Sequence, residues 1–308
     1  MAKYKVRCLN NIAPIALETL GDDFEVTEDL GEADAVLVRS ADMHELDLPD
    51  SLKCVARAGA GTNNIPLEEL AVRGVPVFNA PGANANAVKE LVVCALLLAS
   101  RDVVGGVEWC KANADDENVA KAAEKAKKQF AGTEILGKTL GVIGLGAIGR
   151  LVVGAAEALG MKTIGYDPFK TPEVAREISP DMRFVDNLDD LYAGSDYVTV
   201  HVPAVGDNIG MINADAIARM KDGVKLLNLA RGSLVNEDDL AAALASGKIS
   251  TYVCDFVSPA VLKMDHVVAF PHLGASTAEA EENCAQMAAQ SIRTYLETGE
   301  KVHCVNMK

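Results

Sequence analysis

Between residues 141 and 167 the chain reads GVIGLGAIGRLVVGAAEALGMKTIGYD, an apolar run into Gly144, Gly146 and Gly149, a helix-period stretch, and a second apolar run ending in Asp167. Glycines at this spacing suit a dinucleotide clamp. Gly144 lets a strand turn tightly, Gly146 lets backbone N–H groups approach a pyrophosphate at a helix N-terminus, and Gly149 lets that helix pack close to its strand. Asp167, ending the second strand, is placed to accept hydrogen bonds from an adenosine ribose and to repel a 2′-phosphate, which favours NAD over NADP.

Three later segments end strands where a doubly wound sheet binds its ligands: His201-Val-Pro203, Asn228-Leu-Ala-Arg231-Gly232 and Pro271-His272-Leu-Gly274. Arg231 follows the apolar run KLLNL and precedes a glycine, so its guanidinium can enter the crevice and grip a carboxylate bidentately. The competing reading is an arginine that caps the sheet. His272, between Pro271 and a glycine-containing turn, has the titration range of a general acid–base at neutral pH. Its competing reading is a structural imidazole.

The elements that must hold these groups alternate. In the first hundred residues strand patterns at 4–9, 35–39, 53–57 and 75–79 are separated by helix patterns at 14–20 and 66–73, a parallel α/β arrangement. A helical stretch from Asn86 to about Ala112 has an apolar middle too continuous to face water, and is expected to bridge domains or pack against another subunit. Residues 115–129 read as a solvated helix with i,i+4 charge pairs. Strands follow the clamp at 197–200, 225–229, 252–254 and 267–269. The last helix opens with Ser276-Thr-Ala-Glu279, an N-cap with an acid three residues on.

Composition narrows the partners. A chain of 308 residues with 49% hydrophobic content suggests two cores. A net charge of −15 opposes condensation onto nucleic acid or anionic lipid, and no basic stretch is interleaved with aromatics. No apolar run reaches the length of a bilayer-spanning helix, and the N-terminus has no secretory core. Seven cysteines, an odd number without a C-x-x-C pair and mostly in apolar settings, read as buried thiols of a reducing cytoplasm. No metal is expected, and the expected partner is a small anionic molecule.

With these residues in view the chain resembles the D-2-hydroxyacid dehydrogenase family. The likeness rests on VRSADM at 38–43, RAGAGTNNIPLEE at 57–69, FNAPGANANAVKEL at 78–91, the clamp, GYDP at 165–168, TVHVP at 199–203, NLARGSLVNE at 228–237 and PHLGAST at 271–277. It implies two doubly wound parallel-sheet domains. A flavodoxin-like substrate domain would span residues 1–99 and 283–308, and a Rossmann NAD domain residues 100–282, with a catalytic cleft between them and homodimerisation through the NAD domains.

Residue by residue, the resemblance makes His272 the acid–base and Arg231 the anchor for the substrate carboxylate. It gives Ala147 and Ile148 of the clamp, His201, Val202, Pro203, Ala230, Asp255 and Gly274 to the cofactor, Asp255 facing the nicotinamide carboxamide. Backbone N–H groups of Ala58, Gly59, Ala60 and Gly61 would meet the substrate carboxylate. Arg39 and Asn84 would face its distal end, where a phosphate would need a cation. The implied reaction is NAD-dependent oxidation of a phosphorylated D-2-hydroxy acid. Two other readings stay open: an unphosphorylated acid of the glycerate type as substrate, and a non-catalytic NAD(H)-sensing protein, since the fold alone does not settle function.

One departure bears on the chemistry. Family members commonly read Asp-Val-Phe-x-x-Glu-Pro where this chain reads Asp255-Phe-Val-Ser-Pro259, so Ser258 or Ala260 stands in the place of the glutamate that pairs with the histidine. A carboxylate partner raises a histidine's pKa and fixes its tautomer, so His272 is expected to titrate lower than in relatives that keep it. A second departure is length: the chain ends at Lys308 without the regulatory domains some relatives carry, and feedback control through them is not expected.

Overall fold

The computed structural model describes residues 3–307; Met1, Ala2 and Lys308, the ends of the expected substrate domain, lie outside the described residues. The chain divides into two compact units, Met1–Ala87 with Ala275–Lys308, and Val88–Gly274.

In the first unit β1 (Tyr4–Cys8), α1 (Ile15–Leu20), β2 (Phe24–Val26), β3 (Ala35–Val38), β4 (Cys54–Arg57), α2 (Leu67–Val72) and β5 (Val77–Phe78) follow one another. The strands form an all-parallel sheet in the order β2-β1-β3-β4-β5, the flavodoxin-like order. All four residues of β3, Ala-Val-Leu-Val, are buried, because a parallel sheet is covered on both faces. Leu37, Ala56 and Phe78 pack one face against Cys284, Ala285, Ala288 and Ile292 of the C-terminal helix. Val36, Val38 and Val55 pack the other against Met43 and Leu70.

The second unit takes in α3 (Ala85–Ser100) from Val88 onward, α4 (Val103–Ala112) and α5 (Val119–Ala126). It continues through β6 (Thr139–Ile143), α6 (Ala147–Ala158), β7 (Lys162–Tyr166), α7 (Pro172–Ile178), β8 (Arg183–Phe184), α8 (Leu188–Gly194) and β9 (Tyr197–Val200). It closes with α9 (Ala214–Arg219), β10 (Val224–Asn228), α10 (Glu237–Ala245), β11 (Ile249–Cys254) and β12 (Val267–Ala269). Its seven-stranded parallel sheet runs β12-β11-β10-β9-β6-β7-β8, a Rossmann order whose winding reverses beside β6.

Several expectations shift. The unit boundary falls after Ala87 rather than Ala99, because Val88, Val92, Ala95, Leu96 and Ala99 of α3 are buried with Leu140, Val142 and Tyr197. Each large aliphatic among them stabilises by roughly 1.5–3 kcal/mol. The second boundary falls after Gly274 rather than Glu282, so all of α11 (Ala278–Thr298) belongs to the first unit. The helix expected over 86–112 is broken after Ser100, where the Asp102 carboxylate accepts the Gly105 N–H at 2.9 Å and starts a new helix. The cap of α11 is Thr277, whose hydroxyl accepts the Ala280 N–H at 3.1 Å, rather than Ser276. Of the seven free thiols, Cys94 and Cys110 are exposed rather than buried. No helix among the described residues is long and apolar enough to cross a membrane.

Candidate active site

Register places the functional segments of the second unit in one row. Tyr166, Ile143, Val200, Asn228, Cys254 and Ala269 are successive cross-strand partners through six parallel strands. The residues that leave these ends, Asp167, Gly144, His201, Arg231, Asp255 and His272, therefore emerge at the same edge of the sheet, around the point where the winding reverses.

Each glycine of the clamp has a separate reason. Gly144 sits at φ +90°, and a Cβ there would lie 2.6 Å from the His201 carbonyl oxygen. A Cβ on Gly149 would collide with the Gly144 carbonyl. Gly146, the N-cap of α6, faces open space, as a backbone must to receive a pyrophosphate. Asp167 accepts the Leu145 N–H and the Phe169 N–H, each at 2.9 Å, which fixes the carboxylate while leaving lone pairs for a diol. His201 is bonded to the Thr199 hydroxyl through Nε2 at 3.0 Å, whereas its Nδ1 is buried without a partner; burial lowers this imidazole to about 4. Ala147 is exposed and Ile148, Val202 and Ala230 are half-buried, with Pro203 exposed at the rim. These residues fit an adenine dinucleotide.

Arg231 is exposed, but its backbone is not free. The buried Asn228 accepts the N–H groups of Ala230 at 3.2 Å and Arg231 at 3.3 Å, and donates to the Arg231 carbonyl at 2.8 Å. One amide thus shapes the turn that presents the guanidinium. Its signal in the sequence is a polar residue ending the apolar run KLLN, which strand-end reasoning left without a role.

His272 is exposed at φ +60°. Such left-handed backbone costs a non-glycine residue roughly 1–2 kcal/mol and collects at functional sites. The two residues after it hold the turn: Leu273 and Gly274 donate their N–H groups to the two oxygens of buried Asp255 at 2.6 and 2.7 Å. Burial pushes the Asp255 carboxyl upward, opposed by those donors and by His272. The His272 ring lies against Phe256, centroids 5.1 Å apart and planes inclined at 53°.

Where the family's glutamate would stand, Ser258 bonds to Glu237 at the start of α10, at 3.0 Å. Ala260 caps the short 3-10 turn Val261–Lys263. Glu237, Gly232, Tyr252, Phe256 and Val261 line a cavity of about 390 Å³. Among the described residues no group of three or more His, Cys, Asp or Glu is placed to hold a metal ion.

The remaining expected site residues belong to the first unit. Val38 and Arg57 are register partners, so Arg39 and Ala58 leave adjacent strands side by side. The Asn10 amide oxygen accepts the N–H groups of Arg39, Ser40 and Ala41 at 2.9–3.0 Å. The Arg39 guanidinium pairs with Glu281 at 2.7 Å. In the following loop Gly59 N–H donates to the Arg57 carbonyl and Asn79 donates to the Ala60 carbonyl at 2.7 Å. The N–H groups of Ala60 and Gly61 find no acceptor among the described residues. Asn84 is half-buried just before α3.

Residues 94–274 match the family described as D-isomer specific 2-hydroxyacid dehydrogenase, NAD binding domain. The chain belongs to this family. As a D-2-hydroxyacid dehydrogenase it carries the NAD-binding domain, and NAD is its cofactor. It is 37% identical over 308 residues to D-3-phosphoglycerate dehydrogenase of Mycobacterium tuberculosis, covering 93% of this chain and 56% of that protein. To the enzyme of the same name from Methanocaldococcus jannaschii it is 35% identical over 311 residues, covering 98% and 57%. The chain thus spans about half the length of these relatives. Among solved structures it is similar to NAD+-bound 3-phosphoglycerate dehydrogenase of Entamoeba histolytica (TM-score 0.79, 25% identity, 99% of each chain). It is also similar to holo D-mandelate dehydrogenase of Rhodotorula graminis (TM-score 0.84, 26% identity, 100% of this chain and 99% of that one).

Proposed function

We propose that the protein oxidises 3-phospho-D-glycerate to 3-phosphohydroxypyruvate with NAD, the first step toward serine. The observation that carries this reading is an arginine and a histidine leaving the same edge of one sheet, Arg231 after β10 and His272 after β12 with β11 between them, in a chain whose named relatives are D-3-phosphoglycerate dehydrogenases.

NAD supplies the hydride acceptor. Arg231 grips the substrate carboxylate through two parallel N–H donors and holds the substrate in line. His272 takes the proton of the 2-hydroxyl as its carbon is oxidised, and returns it to the carbonyl oxygen in the reverse direction. Asp167 accepts the ribose hydroxyls, and α6 directs N–H groups toward the pyrophosphate. Arg39 serves the distal phosphate, with Asn84 beside it in role, and the N–H groups of the Ala58–Gly61 loop serve the carboxylate.

The protein acts in the cytoplasm as a homodimer. Helix α4 has no buried residue although Val103, Val104 and Val107 lie on it, and its Val103, Val107 and Trp109 line with Phe130 a groove of about 430 Å³. An apolar helix left uncovered in a chain of charge −15 suits a second copy better than a nucleic acid or a membrane.

The reading is tested by His272→Ala and Arg231→Ala with 3-phospho-D-glycerate. Loss of turnover in the first with NADH affinity kept, and a raised KM with lowered kcat in the second, support it. A His272→Ala protein as active as the wild type overturns it.

A further inference from the structure

The family's histidine is held by a glutamate that this chain lacks. The Phe256 ring lies against the His272 imidazole, centroids 5.1 Å apart and planes tilted by 53°. The Phe256 Cβ also meets the turn that carries Arg231: a Cβ added to Gly232 would lie 3.3 Å from it. Its neighbour Asp255 holds the backbone after His272 through the Leu273 and Gly274 N–H groups. Ser258 is engaged by Glu237 and by the Val261 N–H.

We propose that Phe256 is a positioning residue for His272, its Cβ set against the Gly232 turn and its ring against the imidazole, so that it sets the side chain's orientation where relatives use a carboxylate. The inference rests on the function proposed above. Asp255 fixes the backbone of the turn, and Phe256 fixes the ring that the turn projects. A phenyl ring restricts the imidazole's rotamers by contact and by edge-to-face attraction. It carries no charge and accepts no strong hydrogen bond, so it orients the imidazole without selecting its tautomer. A methyl group at Gly232 would press on the Phe256 Cβ at 3.3 Å, so the phenyl would have to give by a few tenths of an ångström.

The test compares wild type, Phe256→Leu, Phe256→Tyr and His272→Ala, each full-length. Phe256→Leu keeps apolar volume and removes the ring. With saturating NADH and 3-phosphohydroxypyruvate it is expected to lower kcat about tenfold, a cost in the range that misplaced groups show, while the KM for NADH stays within about twofold. Phe256→Tyr keeps the ring and is expected to recover most of the loss.

An independent reading comes from proton NMR of the protein without substrate. The His272 Cε1–H signal, identified by its absence in His272→Ala, is expected to move in Phe256→Leu as the ring current is removed, and to return toward its wild-type position in Phe256→Tyr. An unmoved signal in Phe256→Leu, or an unchanged kcat in an active enzyme, overturns the proposal. If the wild type reduces no keto acid the functional reading fails, and the NMR comparison still decides whether Phe256 packs against the imidazole.

Discussion

The Ser258 hydroxyl bonds to the Glu237 carboxylate at 3.0 Å and accepts the Val261 N–H at 3.1 Å. Ser258, one of the two residues that can stand in the place of the family's glutamate, therefore faces another acid. Ser258→Ala is expected to cost about 1–2 kcal/mol, the value of an exchanged hydrogen-bond pair at a half-buried site. Ser258→Glu sets two carboxylates against each other and is expected to cost more, with Glu237→Gln added in the same chain restoring part of the loss. Denaturant midpoints measure all three. A Ser258→Glu protein as stable as wild type would show that the new carboxylate turns elsewhere.

Asn228 closes the turn before Arg231 with three hydrogen bonds. Asn228→Ala leaves the Ala230 and Arg231 N–H groups unmatched in a half-buried turn, the Arg231 carbonyl keeping the Leu234 N–H, a loss on the order of 3 kcal/mol. Because the same turn aims the guanidinium, the KM for the keto acid is expected to rise and kcat to fall in this variant. Equilibrium unfolding and steady-state kinetics check the two effects separately.

That these segments share one sheet edge was legible in the sequence because its signals are local. Glycines beside apolar runs, an arginine and a histidine at strand ends, and an acid after the second strand each declare themselves within a few residues. What was hidden depends on tertiary contact. Nothing near Phe256 in the sequence ties it to His272, whose ring it meets only in the fold. Glu237 reads as a first-turn acid of α10 until Ser258 reaches it. β2 and β8 have three and two residues, too short for any period to show. The break between α3 and α4 turns on one carboxylate, Asp102, inside an apolar run that looks continuous.

His201 gives a pH signature. Its imidazole sits near 4 in the folded chain against an ordinary 6.5, because burial disfavours the charged form. A depressed pKa contributes stability that is full above about 6.5 and is lost as pH falls through the window toward 4, up to about 3 kcal/mol for one such group. Thermal melts across that window are expected to fall more steeply for wild type than for His201→Asn. Parallel curves would mean that His201 charges freely in the fold.

The exposed valines of α4 predict an assembly change. Val107→Glu places a charge on the face proposed to meet a second copy, and light scattering is expected to report the mass of one chain for the variant and two for wild type. A wild-type protein that is monomeric at micromolar concentration contradicts the dimer.

The measurement closest to the central claim follows NADH consumption with 3-phosphohydroxypyruvate, hydroxypyruvate and pyruvate side by side, for wild type, Arg39→Ala and His272→Ala. Wild type is expected to consume NADH rapidly with the phosphorylated acid alone and His272→Ala to be silent. Arg39→Ala is expected to show a KM raised about tenfold or more for that acid, the worth of one charge-assisted contact. Equal rates on the unphosphorylated acids, or NADH bound without consumption on all three, would contradict the account.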